Sequence, residues 1–259
     1  MARYFTLATV LSLVLSVQAQ CGAGTPDASV TGKTGSYTAT KGSSKVYSGS
    51  DYLAAIQAAV DSIKSGERVS VIASGSIGNG SIRIDSGKIF EGCGTIDASS
   101  RNTHGAVESL GTTDVQIPYL TLTGSPYFGL WFYGTKNLVL GEITMNLSGG
   151  IGIRFERDEA ANSNVKMGVI SVTGASSHAV ETWNIDGLEI DKVIARDCGE
   201  AGLLLQTTTN AKVGLVDGDN VGAGTGYGTL RFANRNGRTS KGDYKTNIFV
   251  DKVVSRRGG

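Results

Sequence analysis

Past Val17 this chain has no apolar stretch long enough to cross a bilayer. It has no Cys-x-x-Cys pair and no Cys/His cluster, so it offers no zinc site. It also lacks a charge of one sign: 24 basic and 23 acidic side chains are spread over 259 residues without a basic tract. That excludes the electrostatic footprint of a protein that binds nucleic acid or an anionic membrane. Proline is confined to Pro26, Pro118 and Pro126. Cysteine is scarce and odd in number: Cys21, Cys93 and Cys198 leave one thiol free or paired outside the sequence.

The N-terminus reads as a secretory signal over residues 1–19, with Arg3 as the positive n-region. Phe5 to Val17 form its apolar core and Val17-Gln18-Ala19 its small-residue cleavage site. Its removal takes away one arginine and leaves 23 basic and 23 acidic groups, a neutral exported chain. An extracellular protein acting as a single chain is therefore expected. Asn79-Gly80-Ser81 and Asn146-Leu147-Ser148 are acceptable glycosylation sequons for such a protein.

The remaining sequence is a repeat. Gly129-Leu130-Trp131-Phe132, Gly152-Ile153-Arg154-Phe155, His178-Ala179-Val180-Glu181, Gly202-Leu203-Leu204-Leu205 and Thr229-Leu230-Arg231-Phe232 start 23, 26, 24 and 27 residues apart. Half a period later a second series starts at Asp114, Asn137, Asn164, Gly187, Asn210 and Asn247, each followed by alternating apolar residues. Its spacings are 23, 27, 23, 23 and 37. A fixed period of this length marks a solenoid whose units bury their apolar faces on one another. Each unit holds short strands and no helix, which predicts an all-β parallel β-helix over residues 51–259. Residues 20–50, rich in Gly, Ser and Thr, are expected to be irregular and to wrap the outside. Asp51 to Lys64 reads as a capping helix: Ser50 or Asp51 caps it, Leu53, Ile56, Val60 and Ile63 share a face, and Gly66 stops it. The sequence stops directly after a repeat strand, at Ser255-Arg256-Arg257-Gly258-Gly259, which predicts a last coil left uncovered, as in a truncated product.

The signal, the cap and the Asn-x-x-Ile/Val repeats together resemble the pectin-lyase-like superfamily of secreted parallel β-helices, which implies a right-handed parallel β-helix. That resemblance implies a polysaccharide as substrate, with cleavage by a lyase or a hydrolase. The motifs of particular activities do not carry over. Asn184-Ile185-Asp186-Gly187 is similar to the first segment of polygalacturonase-type hydrolases, but the next coil reads Leu205-Gln206-Thr207-Thr208, without their acidic pair. Trp183-Asn184-Ile185-Asp186 lacks the His of the comparable segment in classical pectate lyases, and the three prolines do not supply their Arg-x-Pro-x-x-Arg segment.

Strand alternation places Trp131, Arg154, Val180, Leu204 and Arg231 in an outward column, with Leu130 and Phe132 and their counterparts inside. Arg154 and Arg231, three coils apart, would lie about 14 Å from each other at about 4.8 Å per coil, suited to separate sugar units. The coil from Ser177 to Asp186 breaks the repeat with His178, Glu181 and Trp183, and such breaks are where functional sites are expected. Glu181 either points inward with a raised pKa, or a one-residue slip puts it outside. A buried His178–Glu181 pair is the structural alternative. Candidate catalytic residues are thus Glu181, His178, Arg154, Glu156 and Asp186. In a hydrolase Glu156, Asp186 or Glu200 would be the second carboxyl; in a lyase Arg154, Arg157 or Arg231 would neutralise an enolate. Trp183, Trp131, Arg231, Arg235 and Arg238 are candidate substrate contacts, the last two in the longest insertion. No cofactor is required, though Asp217-Gly218-Asp219-Asn220 has the oxygen ligands and turn chemistry of a Ca²⁺ loop. The favoured reading is a lyase on a uronate-containing chain. The alternatives are a glycoside hydrolase and a non-catalytic carbohydrate-binding or adhesion solenoid.

Overall fold

The computed structural model describes residues 21–99, 103–233 and 246–259. The signal segment, Arg235 and Arg238 lie outside those residues.

The two repeat series become two parallel sheets. One has seven strands, Ile82–Arg83, Gly105–Leu110, Phe128–Tyr133, Ile151–Phe155, Val180–Thr182, Leu203–Leu205 and Leu230–Phe232, each beside its successor one coil on. The other has twelve strands and runs from Ile248–Arg256 back to the N-terminal segment. Consecutive coils pair strand on strand in parallel, giving the expected parallel β-helix. Between the sheets lies one continuous core, in which Leu130, Phe132, Ile153, Phe155, Leu203 and Leu205 meet Leu138, Leu140, Val165, Met167, Leu188 and Ile190. Phe132 and Phe155 stack across adjacent coils with centroids 5.1 Å apart. The pattern of two is what lets one face of every strand be buried while the other faces out.

The residue that opens each unit of the second series has a backbone reason to be there. Asp114, Asn137, Asn164, Gly187, Asn210 and Asn247 all have φ between 51° and 82°, the left-handed region that Asn, Asp and Gly enter at least cost. Their side chains also ladder along the solenoid. Asn137 Nδ2 donates to Asp114 Oδ1 at 2.8 Å, Asn164 Nδ2 to Asn137 Oδ1 at 3.1 Å, and Asn247 Nδ2 to Asn210 Oδ1 at 3.1 Å. The sequence rhythm is thus a turn requirement, repeated once per coil.

The helix spans Tyr52–Ser62, with Asp51 as N-cap: its carboxylate accepts from the Ala54 N–H at 3.0 Å. Tyr52, Ala55, Ile56, Ala59 and Val60 are buried against the first strands, so the helix covers that end of the core. Residues 20–50, expected to be irregular, instead form an antiparallel meander, Ala28–Lys33, Ser36–Lys41 and Ser44–Gly49, joined to the long sheet through Ala28–Lys33 and Arg68–Val71. Small alternating residues account for this: Ala28, Val30, Tyr37 and Ala39 are buried between Ser and Thr neighbours that face out. A Cys21–Cys93 disulfide, with Cα atoms 5.5 Å apart, ties the segment to the solenoid and leaves Cys198 as a buried thiol. At the other end Phe232, Phe249 and Val253 are exposed on the last coil. Among the described residues no helix is long and apolar enough to cross a membrane.

Candidate functional site

The outward column of the seven-stranded sheet is longer than its repeats suggest. Register aligns Arg83, Glu108, Trp131, Arg154, Glu181, Leu204 and Arg231, one per coil. Val180 is therefore inside, beside Ile153 and Leu203, and not outside as expected. The coil from Ser177 to Asp186 has slipped by one residue, because a buried Glu181 side chain inside the stack would have no cation to meet. Outside, it has one.

Arg154 lies at the centre of this face. Its guanidinium binds Glu181 Oε2 in the next coil and, at 2.8 Å, Glu156 Oε1 just past the end of its own strand. Trp183 Nε1 donates to Glu181 Oε1 at 2.8 Å, and Trp131 Nε1 donates to Glu156 Oε2 at 3.3 Å. Each carboxylate thus receives one indole N–H and shares one guanidinium. Burial works against the charged forms of both Arg154 and Glu156, but their mutual hydrogen bond and the neighbouring charges prevail. Arg154 is held above its usual range and Glu156 below its own. Glu156 therefore stays ionised and is no proton donor. Trp183 is only 8% exposed and so presents no open face to a sugar ring; Arg157 lies over it, 5.9 Å from the ring centroid.

His178 does not pair with Glu181. Its Nε2 lies 3.1 Å from Glu200 Oε2, and its Nδ1 accepts the Ala201 N–H at 3.0 Å. Ser177 Oγ donates to the same Glu200 oxygen. Burial first, and then the charges of Arg154 and Arg231, push the His178 pKa down, against the attraction of Glu181 and Glu200. The ring is neutral at pH 7 and its edge meets Tyr227 with centroids 5.1 Å apart. Arg231 covers the other side of that story: its guanidinium sits 4.3 Å from the Tyr227 centroid and has no carboxylate partner among the described residues.

Two sequence candidates fall away from this face. Asp186 lies at the start of the strand Ile185–Cys198 in the long sheet, where its carboxylate accepts from Asn210 Nδ2 at 2.6 Å and Thr209 Oγ1 at 2.8 Å; those bonds hold its pKa down. It is a rung of the turn ladder because it precedes a left-handed glycine. Asp217 to Asn220 form no loop but part of the strand Thr208–Val221. Asp217 is paired with Arg196 and Arg256, Asp219 with Arg257, and Asn220 donates to Asp197, so these oxygens are already engaged.

Beside the column runs a groove of about 660 Å³ at the turn between the sheets, lined by Ser125, Tyr127, Phe128, Ser148, Gly150 and Ser177. Tyr127 is exposed and meets Phe128 edge-on with centroids 4.6 Å apart. Phe128 in turn neighbours Trp131 at 5.8 Å and Arg154 at 5.8 Å. Trp131 also meets Tyr133 at 5.6 Å and His104 at 5.7 Å. An aromatic shelf flanked by hydroxyls suits a hydroxylated ring that is apolar on its faces and polar at its rim.

No protein-family model, curated protein or solved structure matches this chain.

Sequence reasoning missed Tyr127 and Tyr227, which sit between strands, and Phe128, which opens one, and also Arg83, His104 and Glu108. The signal for Glu108 was available: stepping 23 residues back from Gly129 reaches Ala106, and Ala106-Val107-Glu108-Ser109 extends the first series by one unit.

Proposed function

We propose that this protein binds an extended, uronate-containing polysaccharide along the outer face of the seven-stranded sheet and cleaves it as a lyase. The observation that carries the reading is the outward column with its shelf: Trp131, Tyr133 and Tyr127 offer stacking surface backed by the buried Phe128 ring, and Arg83 and Arg231 offer cations at its two ends. Coils about 4.8 Å apart make such a column commensurate with a linear polymer that touches several coils at once. The pectin-lyase-like resemblance of the repeats points the same way. The Cys21–Cys93 disulfide supports the secreted, extracellular location read from the N-terminus.

A hydrolase reading loses support from the same geometry. Glycoside hydrolysis needs a scissile bond between two carboxyl groups, one of them protonated. Between Glu156 and Glu181 stands the Arg154 guanidinium, and Glu156 is held in its charged form. A β-elimination needs no second carboxyl. It needs a base at the α-proton and a cation for the enolate. The Arg154 network also favours a second reading, a binding solenoid without catalysis, because its guanidinium is already committed to Glu156 and Glu181.

The test is incubation with a panel of uronate and neutral polysaccharides, with and without a calcium chelator. Ultraviolet absorbance of unsaturated uronates and new reducing ends are followed in parallel. Unsaturated product supports the lyase, and reducing ends without it would hand the site to a hydrolase. Retention on immobilised polysaccharide with neither product would leave the binding solenoid.

A further inference from the structure

One carboxylate on this face is buried without being fully used. Glu108 is 1% exposed, and its Oε1 accepts the Gly105 N–H at 2.9 Å. His104 Nδ1 approaches the same oxygen at 3.3 Å. Among the described residues Glu108 Oε2 has no hydrogen-bond partner, and the cation that approaches it, Arg83 Nε, stays 3.7 Å away. A buried carboxylate oxygen left this open can accept from a donor, or face a positive charge, that forms beside it.

His104 is the group placed to form that charge. Its side chain is 49% exposed, unlike buried His178. With Nδ1 turned to Glu108, Nε2 is the nitrogen that the ring offers to a ligand. The imidazole meets Trp131 edge-on with centroids 5.7 Å apart, and the His104 carbonyl accepts from the Phe128 N–H at 3.4 Å. It thus stands at the margin of the aromatic shelf. Arg83, its side chain 72% exposed, completes the set on the other side of Glu108. A base, a group that orients it, a stacking ring and an exposed guanidinium meet here, two coils before Arg154 in the case of Glu108.

We infer that His104 is the general base of this face, with Glu108 as its positioning residue and Arg83 as the cation for the substrate carboxylate. This rests on the lyase reading above and moves its chemical centre away from the Ser177 to Asp186 coil. In the step, Nε2 takes the C5 proton of a uronate unit stacked on Trp131. The C5–H electron pair becomes the C4=C5 double bond, and the C4–O4 bond breaks with its pair leaving on oxygen. Water protonates that oxygen, and the imidazolium returns its proton to the hydroxide so formed. Arg83 neutralises the carboxylate as negative charge spreads into it, and Glu108 stabilises the transient imidazolium.

The experiment compares the full chain with His104→Gln, Glu108→Gln and Arg83→Gln on the uronate panel. Ultraviolet product gives kcat and KM, affinity electrophoresis in the same polysaccharide gives binding, and thermal melting gives the fold. The inference expects His104→Gln to lower kcat by about 10²-fold or more, the range of a general base, with KM, binding and melting unchanged. Glu108→Gln should lower kcat with little change in KM, and Arg83→Gln should raise KM as well. Product from the parent chain with His104→Gln within threefold of its kcat would overturn the base and leave the lyase standing. Loss of binding together with turnover in His104→Gln would make it a substrate contact and overturn the base equally. A parent chain that makes no unsaturated product from any uronate polymer would overturn the lyase reading and this role with it.

Discussion

Replacing Arg154 with methionine tests whether the outward face is held by a desolvated ion network. The substitution keeps an unbranched, largely apolar stem and removes the cation shared by Glu156 and Glu181. Side-chain exposures of 14%, 18% and 6% for Arg154, Glu156 and Glu181 place the network well inside the regime of buried pairs, with only Glu156 partly relieved by water. Removing one partner of such a pair costs about 3–5 kcal/mol, because an uncompensated charge remains. Trp183 Nε1 and Trp131 Nε1 still donate to the two carboxylates, which argues for the lower end, about 3 kcal/mol. At roughly 2–4 °C per kcal/mol for a chain of this size, the melting temperature should fall by about 6–12 °C. Arg154→Met combined with Glu181→Gln removes both the cation and the more deeply buried anion. A coupling of about 1–3 kcal/mol between the two sites should then restore part of the loss. The assay is thermal melting of the parent, both single variants and the double variant at fixed pH and salt. A single-variant loss below about 1 kcal/mol would place the network among solvated surface pairs. A double variant as unstable as the sum of the singles would mean the two residues do not act on each other, and either result refutes the desolvated network.

The asparagine ladder should be sensitive to shape before chemistry. Asn137→Ala forces a β-carbon without a compensating side-chain bond into φ 58° and removes two ladder bonds, and should cost about 2 kcal/mol by chemical denaturation. Asn137→Gly, which loses the bonds but not the backbone fit, should cost clearly less; equal losses would discard the left-handed argument. His178 predicts a pH dependence. Its folded-state pKa lies below the unfolded value of about 6.5, so the unfolded chain binds the extra proton. Stability from this group is complete above that value and declines as pH falls from about 6.5 toward the folded pKa. Glu181, Glu200, Arg154, Arg231 and Tyr227 all face the ring. Melting of His178→Gln between pH 7.5 and 5.5 should therefore fall less steeply than the parent, in buffers spanning roughly that window; parallel curves would remove the buried neutral imidazole. Cys198, its thiol pushed up to about 11 by burial, should resist a thiol reagent in the native protein and react on denaturation. Rapid native labelling would contradict its place in the core.

The coil count, the faces of most strands and the turn residues were open to reading from the chain alone. Those features repeat, and each rests on local rules: alternation in a strand, and a left-handed backbone that Asn, Asp or Gly must supply. Leu130, Phe132, Ile153 and Phe155 could be placed inside by parity, and Asn137 or Asn164 at a turn by type. Where the local signal was thin, parity failed. The meander before the helix buries only Ala28, Val30, Tyr37 and Ala39, too few large residues to announce three strands. The slip that carries Val180 inside and Glu181 outside depends on Arg154, a residue 27 positions away, whose charge repays the carboxylate for leaving water. The candidate site depends on such distances throughout. Glu156 and Glu181 look like a catalytic pair in sequence, and only the fold puts one guanidinium between them. Glu108 can be aligned with the repeat in sequence, but only the stacking of coils buries its carboxylate and sets the His104 imidazole beside Trp131. Periodicity is a property of neighbouring residues, whereas charge compensation is settled by what the adjacent coil brings within 3 to 4 Å.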